Sequence, residues 1–579
     1  MKTERLGLLS IFLTVFCCLA SAQQKGVIAG RVVADDGGGL PNMTVTLLVA
    51  GSFRSGNFRT VATDDEGNFR FANLEPRPYS IRAQPARGYT QSPSSAAERQ
   101  KERIYHIGES LTITMIRGGV INGRVTNSAG EPVIMVPVAS IMVRDAAGVR
   151  VDGRSIYRST FTDDRGVYRL HSLEPGTYLV VANGGGQNFS SSVSAYDGET
   201  PVYYPGAATR DTAAEVRVMG GNEITGVDIR YLGERGHTVS GRITGGDSGV
   251  DRYSANVVLA DAGSGATVGA IYVSMQIGAN GFAFNGVPDG EYLVMADRRD
   301  YDTENVLASA PRRASVRGAD VSGIELRLAP LASIAGRVVI EPTPNVCEPK
   351  QRIRLEETLL SMPRDERARG ESPFPFRFAS SGHAPDEKGE FTIRNLNPGQ
   401  YRLEPQLPGE NYFVKSISTP APSTAGRTAA ARGQSASAMP LRSAIPLKSG
   451  ERITGLTVTI VDGASTLRGA VVPLKEGARL PARLRLHLIP AEATAADDLP
   501  RYAETIVGGE GAFSLMNIQP GRYLLLARAV PEDETGDKPV STIAWDAAER
   551  TKIRREAEAA KNEIELKPCQ RVKDYVLRW

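Results

Sequence analysis

The sequence predicts an all-β chain: a tandem array of about five small antiparallel β-sandwiches with one short helix near its C-terminal end. Three observations predict it. A Gly-Arg-Val-like strand start recurs along the chain, and a strand-turn-strand block follows each recurrence. Gly 60 and Pro 35 in 579 residues are the punctuation of many short strands rather than of a helical enzyme.

The strand starts are Gly30-Arg31-Val32, Gly123-Arg124-Val125, Gly241-Arg242-Ile243 and Gly336-Arg337-Val338, with a weaker copy at Gly469-Ala470-Val471. The second block opens on an aromatic strand: Phe69, Tyr168, Phe282, Phe391 or Phe513. It continues as Leu173-Glu174-Pro175-Gly176-Thr177-Tyr178 in the second copy and Leu396-Asn397-Pro398-Gly399-Gln400-Tyr401 in the fourth. The closing tyrosines are Tyr79, Tyr178, Tyr292, Tyr401 and Tyr523, each ten positions after the aromatic.

Phe391-Thr392-Ile393 alternates apolar and polar, as a half-buried strand does. Pro398-Gly399 suits a type II turn, with Gly at positive φ. The same structural role falls to Gly176, Gly290 and Gly521. In the first copy Arg77-Pro78 replaces the turn glycine, which predicts a different turn there. A third element, such as Ile453-Thr454-Gly455-Leu456, leads within about 10 to 15 residues into the next strand start. Such short linkers predict a semi-rigid string.

The expected organisation is therefore a signal peptide at 1–22 and sandwiches at 23–117, 118–232, 233–330, 331–463 and 464–579. The fourth carries an insertion at 347–380, with helix expected around Arg354-Leu355-Glu356-Glu357-Thr358-Leu359-Leu360, and a flexible Ser/Ala/Pro-rich loop at 417–447. The fifth carries the helix, at 544–561, where Gly and Pro are absent.

Lys2 and Arg5, the apolar run 6–19 and Ala20-Ser21-Ala22 read as a secretory signal cleaved before Gln23. No later stretch reaches the ~20 apolar residues of a membrane span. The expected location is the periplasm, the outer surface or the medium. Cys347 and Cys569 remain after cleavage; in an oxidising compartment they could pair, though so wide a spacing favours two isolated thiols and is no disulfide framework.

The chemistry sought is thin. Lys+Arg 68 against Asp+Glu 65 leaves no basic excess for nucleic acid. The five histidines are scattered. His171-Ser172-Leu173-Glu174 has the letters of a zinc pair but lies inside the repeated block. Gly246-Asp247-Ser248-Gly249 has the letters of a serine-nucleophile turn but sits where other copies have hairpin turns. Asp64-Asp65 and Asp163-Asp164 could hold calcium, yet aspartate in tight turns is routine. The chain is read as non-enzymatic and monomeric, without cofactor or metal.

The repeated residues resemble the carboxypeptidase regulatory-like domain family, among the transthyretin-like (prealbumin-like) sandwiches with an Ig-like, carbohydrate-binding-like fold. Its pattern is Gly-x-Val, then Asp-x-x-Gly-x-Phe, then Leu-x-Pro-Gly-x-Tyr. The second and fourth copies fit it best, and the first departs at Arg77-Pro78. The resemblance implies a bacterial exported scaffold or interaction protein that binds protein or polysaccharide at the cell envelope. It also implies two alternatives. One is carbohydrate binding through loop aromatics, for which Tyr196, Tyr203, Tyr204 and Trp545 are the candidates outside the core pattern. The other is a regulatory partner of a peptidase.

Overall fold

A computed structural model describes residues 26–579, except 51–57, 87, 92–103, 147, 149–150, 152–155, 184–185, 188–194, 246–252, 276–279, 301–304, 349, 351–352, 365–381, 420–438, 476–477, 482, 509–510 and 531–544. The expected signal peptide and the Gly246-Asp247-Ser248-Gly249 turn lie outside the described residues.

The chain is an all-β tandem array of sandwiches. Five large apolar clusters each draw on one copy of the repeat, around Phe69 and Tyr79, Tyr168 and Tyr178, Phe282 and Tyr292, Phe391 and Tyr401, and Phe513 and Tyr523. One sheet of each sandwich is built on the Gly-Arg-Val strand. In the first copy, Gly26–Ala34 pairs antiparallel with Asn68–Leu74 and parallel with the linking strand Ser110–Arg117. The fifth copy repeats this, with Ser465–Val472 between Ala512–Ile518 and Arg571–Arg578. The other sheet holds the strand that follows. Tyr79–Ala83 pairs with Thr44–Val49, and Gly176–Ala182 with Pro137–Asp145. So the two strands of the block do not pair with each other. They arch from one sheet to the facing one, and the core fills the space between.

The recurring residues have separate duties. A Cβ on Gly30 would lie 2.3 Å from the Leu111 carbonyl and 2.6 Å from the Phe69 ring. A Cβ on Gly241 would lie 2.0 Å from the Ile324 carbonyl and 2.8 Å from the Phe282 ring. The aromatic of the block thus lies over the glycine of the first strand, and the linking strand passes close beside it. The neighbouring arginine clamps the turn: Arg31 Nε donates to Glu66 O at 2.7 Å, Arg124 Nε to Arg165 O at 2.7 Å and Arg337 Nε to Lys388 O at 3.0 Å.

Each block also contains a β-bulge at one place in the register, for example between Leu170 and Leu173. The residue there is left-handed: Asn73 (φ 58), Ser172 (φ 56), Gly286 (φ 67), Asn395 (φ 62) and Asn517 (φ 56). A type II turn with Gly at positive φ was expected at the Pro-Gly pair; the positive φ is found at Gly399 and Gly521, but the turn is not type II. Gly399 and Gly521 have φ of 151 and 153, far from the second corner of a type II turn. Gly176 and Gly290 are not left-handed and open the return strands. Their need is close approach: a Cβ on Gly176 would lie 2.6 Å from Arg144 O, and one on Gly399 2.3 Å from Arg364 Nε. The first copy turns differently, with Arg77 N donating to Glu75 O at 2.9 Å.

The closing tyrosine is a corner brace. Its hydroxyl donates to the carbonyl four residues back in every copy: Tyr79 to Glu75 (2.9 Å), Tyr178 to Glu174 (2.7 Å), Tyr292 to Pro288 (2.8 Å), Tyr401 to Asn397 (2.8 Å) and Tyr523 to Gln519 (2.5 Å). The ring is buried while the hydroxyl satisfies an arch carbonyl, the logic of a tyrosine corner.

Two local expectations fail on tertiary grounds. The stretch 354–360 is not helical beyond a 3-10 turn at Leu355–Glu357. Leu359–Ser361 is a strand on Glu404–Gln406, because burial of Leu359 and Leu360 overrides helix propensity. The ends of 417–447 are also strands: Ile445–Leu447 pairs with Gly399–Tyr401, and Ser418 with Pro440. The C-terminal helix spans Ala547–Ala560, capped by Asp546, whose carboxylate accepts from Ala548 N and Glu549 N. Its Ile553 and Ala557 pack on Ile489 and Leu524.

Candidate functional site

The aromatic candidates are placed in packing contacts. Tyr196 meets Tyr231 edge to face at 5.9 Å, and its hydroxyl donates to Ile134 O at 2.6 Å. Tyr203 covers Ala139, Ile141, Leu179 and Val181 on the outer face of a sheet. Tyr204 packs on the second copy's main core. Trp545 lies against the fourth copy's core although it belongs to the fifth. The four are not brought together on one platform by any described contact.

The polar candidates hold backbone. Asp64 Oδ1 accepts from Glu66 N and Asn68 N, at 3.1 and 2.6 Å. Asp163 Oδ1 accepts from Arg165 N and Val167 N, at 3.0 and 2.8 Å. These bonds hold both carboxyls below the usual range, led by the Asn68 and Val167 amides. His171 Nδ1 lies 3.1 Å from Ser172 Oγ. Among the described residues, three side chains of metal-ligating type converge, Cys347, Asp462 and Cys569, but the two sulfurs are bonded to each other.

What the fold does concentrate is structure at the joints between copies, and the bulge residue is at the centre of each. Between the first two copies, Gly118 N donates to Gly88 O at 2.8 Å, and a Cβ on Gly118 would lie 2.6 Å from Ser172 Cα. At the next joint, a Cβ on Gly286 would lie 2.4 Å from Glu199 O, and one on Gly236 2.4 Å from the Gly286 carbonyl carbon. At the third, Asn395 Oδ1 accepts from Val306 N at 2.9 Å in a buried setting. At the fourth, Asn517 Nδ2 donates to Gly409 O and Tyr412 O, at 2.5 and 2.7 Å. At the second, third and fourth joints, a position fixed by the bulge within one sandwich thus seats the backbone of the sandwich before it.

The fourth joint is reinforced. Glu410 pairs with Arg468 at 3.2 Å and Arg571 at 2.7 Å. Cys347 and Cys569 form a disulfide, with Cα atoms 5.3 Å apart. Of the two readings the sequence leaves open, pairing is the one found, and the favoured isolated thiols are not. The reason is topological: first and last strands of a copy run parallel. The end of one copy's first strand therefore reaches the same joint as the beginning of the next copy's last strand. Cys347 N donates to Asp462 Oδ1 at 3.1 Å and Cys569 N to Gly463 O at 3.1 Å, which fix both half-cystines.

A further contact joins non-neighbours. His106 Nε2 lies 3.0 Å from Glu357 O, and its Nδ1 3.4 Å from Glu109 Oε1. Copies one and four touch, which a linear string does not account for.

Residues 27–105 match the family model of the carboxypeptidase regulatory-like domain. No curated protein matches the chain. Solved structures similar to parts of it include the Bacillus anthracis TIE protein, at 14% identity and TM-score 0.14, covering 52% of this chain and 50% of that one. The match thus spans half the length of that protein. The minor pilin GBS52 of Streptococcus agalactiae aligns at 14% identity and TM-score 0.19, over 36% of this chain and 95% of the pilin. The major pilin subunit BcpA* of Bacillus cereus aligns at 10% identity and TM-score 0.14, over 52% and 99%. At such values nothing about those proteins' assembly carries over to this chain.

Proposed function

We propose that this chain is an exported, non-catalytic scaffold that holds β-sandwiches in set relative positions and binds a protein or polysaccharide at the cell envelope. The observation that carries the reading is the recurrent joint, in which Gly286, Asn395 and Asn517 each meet backbone of the preceding sandwich and Ser172 meets Gly118 at the first joint. Short joints held by backbone approach and by side-chain-to-backbone hydrogen bonds suit a rigid spacer better than independent modules. The disulfide supports export, since such bonds persist in oxidising compartments.

Spin labels placed on the fourth and fifth copies test the reading. The expected result is one narrow distance distribution that broadens when both cysteines are replaced by serine. A broad distribution in the intact chain would overturn it.

A further inference from the structure

The contact between the first and fourth sandwiches is made by two segments, each fixed to its own core. Tyr105 exchanges main-chain bonds with Tyr79, at 2.8 and 2.9 Å, and Gly108 N donates to Val27 O at 2.7 Å. His106 lies between these anchors, so the first sandwich presents it at a set position. On the other side stands the 3-10 turn Leu355–Glu357. Thr358 N closes that turn on Leu355 O at 3.0 Å, and Leu355 packs on the fourth core. The turn belongs to the inserted stretch 347–380, which breaks the repeat pattern.

The imidazole of His106 stands between two acceptors. Nε2 lies 3.0 Å from the Glu357 carbonyl oxygen, and Nδ1 lies 3.4 Å from Glu109 Oε1. A main-chain carbonyl accepts and cannot donate, and the same holds for an ionised carboxylate. Only the imidazolium carries a proton on both nitrogens, whereas the neutral ring has one donor and one bare lone pair. One neutral tautomer loses the bond across the interface. The other turns a lone pair toward the Glu109 carboxylate. Either way, deprotonation weakens the contact.

Among the described residues, carboxyls outnumber cations around the ring. Glu109 faces it from its own segment, and Glu357 from the fourth sandwich, with Glu356 and Arg354 beside it. Arg31, the one charged residue of the adjoining strand Gly26–Ala34, is turned to Glu66 O. Burial opposes the charge on His106, but the bonds to Glu109 and to the Glu357 carbonyl outweigh it and hold the ring above the ordinary histidine range. Burial likewise raises the Glu357 carboxyl, with His106 and Arg354 opposing.

We infer that the contact between the first and fourth sandwiches is a proton-operated latch, which goes beyond the scaffold reading drawn from the consecutive joints. With His106 protonated, the inserted turn closes on the first sandwich and the row of four is folded back on itself. When the ring releases its proton to solvent, the latch opens. The first sandwich then swings at the joint that follows it, where Gly118-Gly119 makes the connection. A group whose pKa is raised by a contact supports that contact fully below its unperturbed value and ceases to do so as pH rises through the raised one. Closure therefore holds below about pH 6.5 and is lost at higher pH.

The test places spin labels on the first and fourth copies of the full chain and reads their separation at about pH 5.5 and about pH 8.5. A short distance is expected at the lower pH. At the higher pH the ratio of short to long distances falls about tenfold or more, as loss of one hydrogen bond from a charged donor implies. His106→Ala gives the long, broad distribution at both pH values. His106→Gln carries the test if that variant does not fold, since glutamine does not titrate and its ratio stays the same at both. Glu109→Gln moves the midpoint to lower pH, and His237→Gln leaves the response unchanged. A ratio that does not move with pH, or a response that survives in His106→Gln, overturns the inference. Labels on the fourth and fifth copies report separately, with one distance at both pH values, so failure of the latch leaves the rigid joints standing.

Discussion

The side-chain amide of Asn517 donates to the main-chain carbonyl of Tyr412, 105 residues earlier, across the joint between the fourth and fifth sandwiches. The same asparagine is held left-handed by a bulge of its own sheet. Two demands therefore meet at one residue, and they can be separated. Asn517→Gly keeps the backbone conformation and loses both amide bonds, while Asn517→Ala loses the bonds and strains the backbone. Glycine is expected to cost about 1–2 kcal/mol and alanine about 1 kcal/mol more. Calorimetry of the full chain checks the order. Equal loss in both variants would deny the bulge its part.

Gly241→Ala should be far more damaging than Gly226→Ala. The first would place a methyl 2.0 Å from Ile324 O with the Phe282 ring on its other side. The second faces open space, and its φ of 75 alone opposes the change. The expected costs are about 3 kcal/mol or more against about 1 kcal/mol, read from urea unfolding.

Tyr178→Phe removes the corner brace to Glu174 O and leaves the packed ring. A loss of about 1 kcal/mol in the second sandwich is expected. Tyr204→Phe serves as the comparison, since Tyr204 lies outside the repeated block. An equal effect there would mean the corner bond has no special role.

The Asp163 carboxyl is held low by the Val167 amide and then by the Arg165 side chain. A depressed folded pKa means the contribution is present above the unfolded value and is lost as pH falls through the folded one. Stability should thus be level above about pH 4 and decline below it. Asp163→Asn keeps an acceptor oxygen but does not titrate there, so its urea midpoint should fall less between pH 6 and pH 3. An unchanged decline would refute the assignment.

Reducing the Cys347–Cys569 bond should cost about 2–4 kcal/mol, chiefly in the fourth and fifth sandwiches. Cys347 is only 2% exposed, so reduction of the native chain should be slow. Thermal scans with and without reductant, compared with Cys347→Ser, check this. Loss spread evenly over all five sandwiches would contradict the placement.

Legibility followed the range of the interactions. The Gly-Arg-Val strand and the aromatic ten residues before Tyr178 are local patterns set by a core and an arch within one copy, so they repeat and could be read. Gly176 showed that its position is special, but not that the reason is close approach to Arg144 rather than a turn. The joints were not readable because each joins different residues: Ser172 against Gly118, Asn395 to Val306, Asn517 to Tyr412. The disulfide needed the parallel run of first and last strands before its halves could be brought together. Leu359 and Leu360 looked helical because their strand partner lies more than 40 residues on, at Glu404–Gln406.

The bridge between Cys347 and Cys569 also has a mechanical meaning. Cys347 follows the first strand of the fourth sandwich, and Cys569 precedes the last strand of the fifth. If the two ends of the array are pulled apart, tension passes from one sulfur to the other. The chain between them, a sequence separation of 222, is removed from the load path. Roughly 750 Å of potential extension is thereby withheld. A tether built this way would give length from its first three sandwiches and keep most of its last two folded under load.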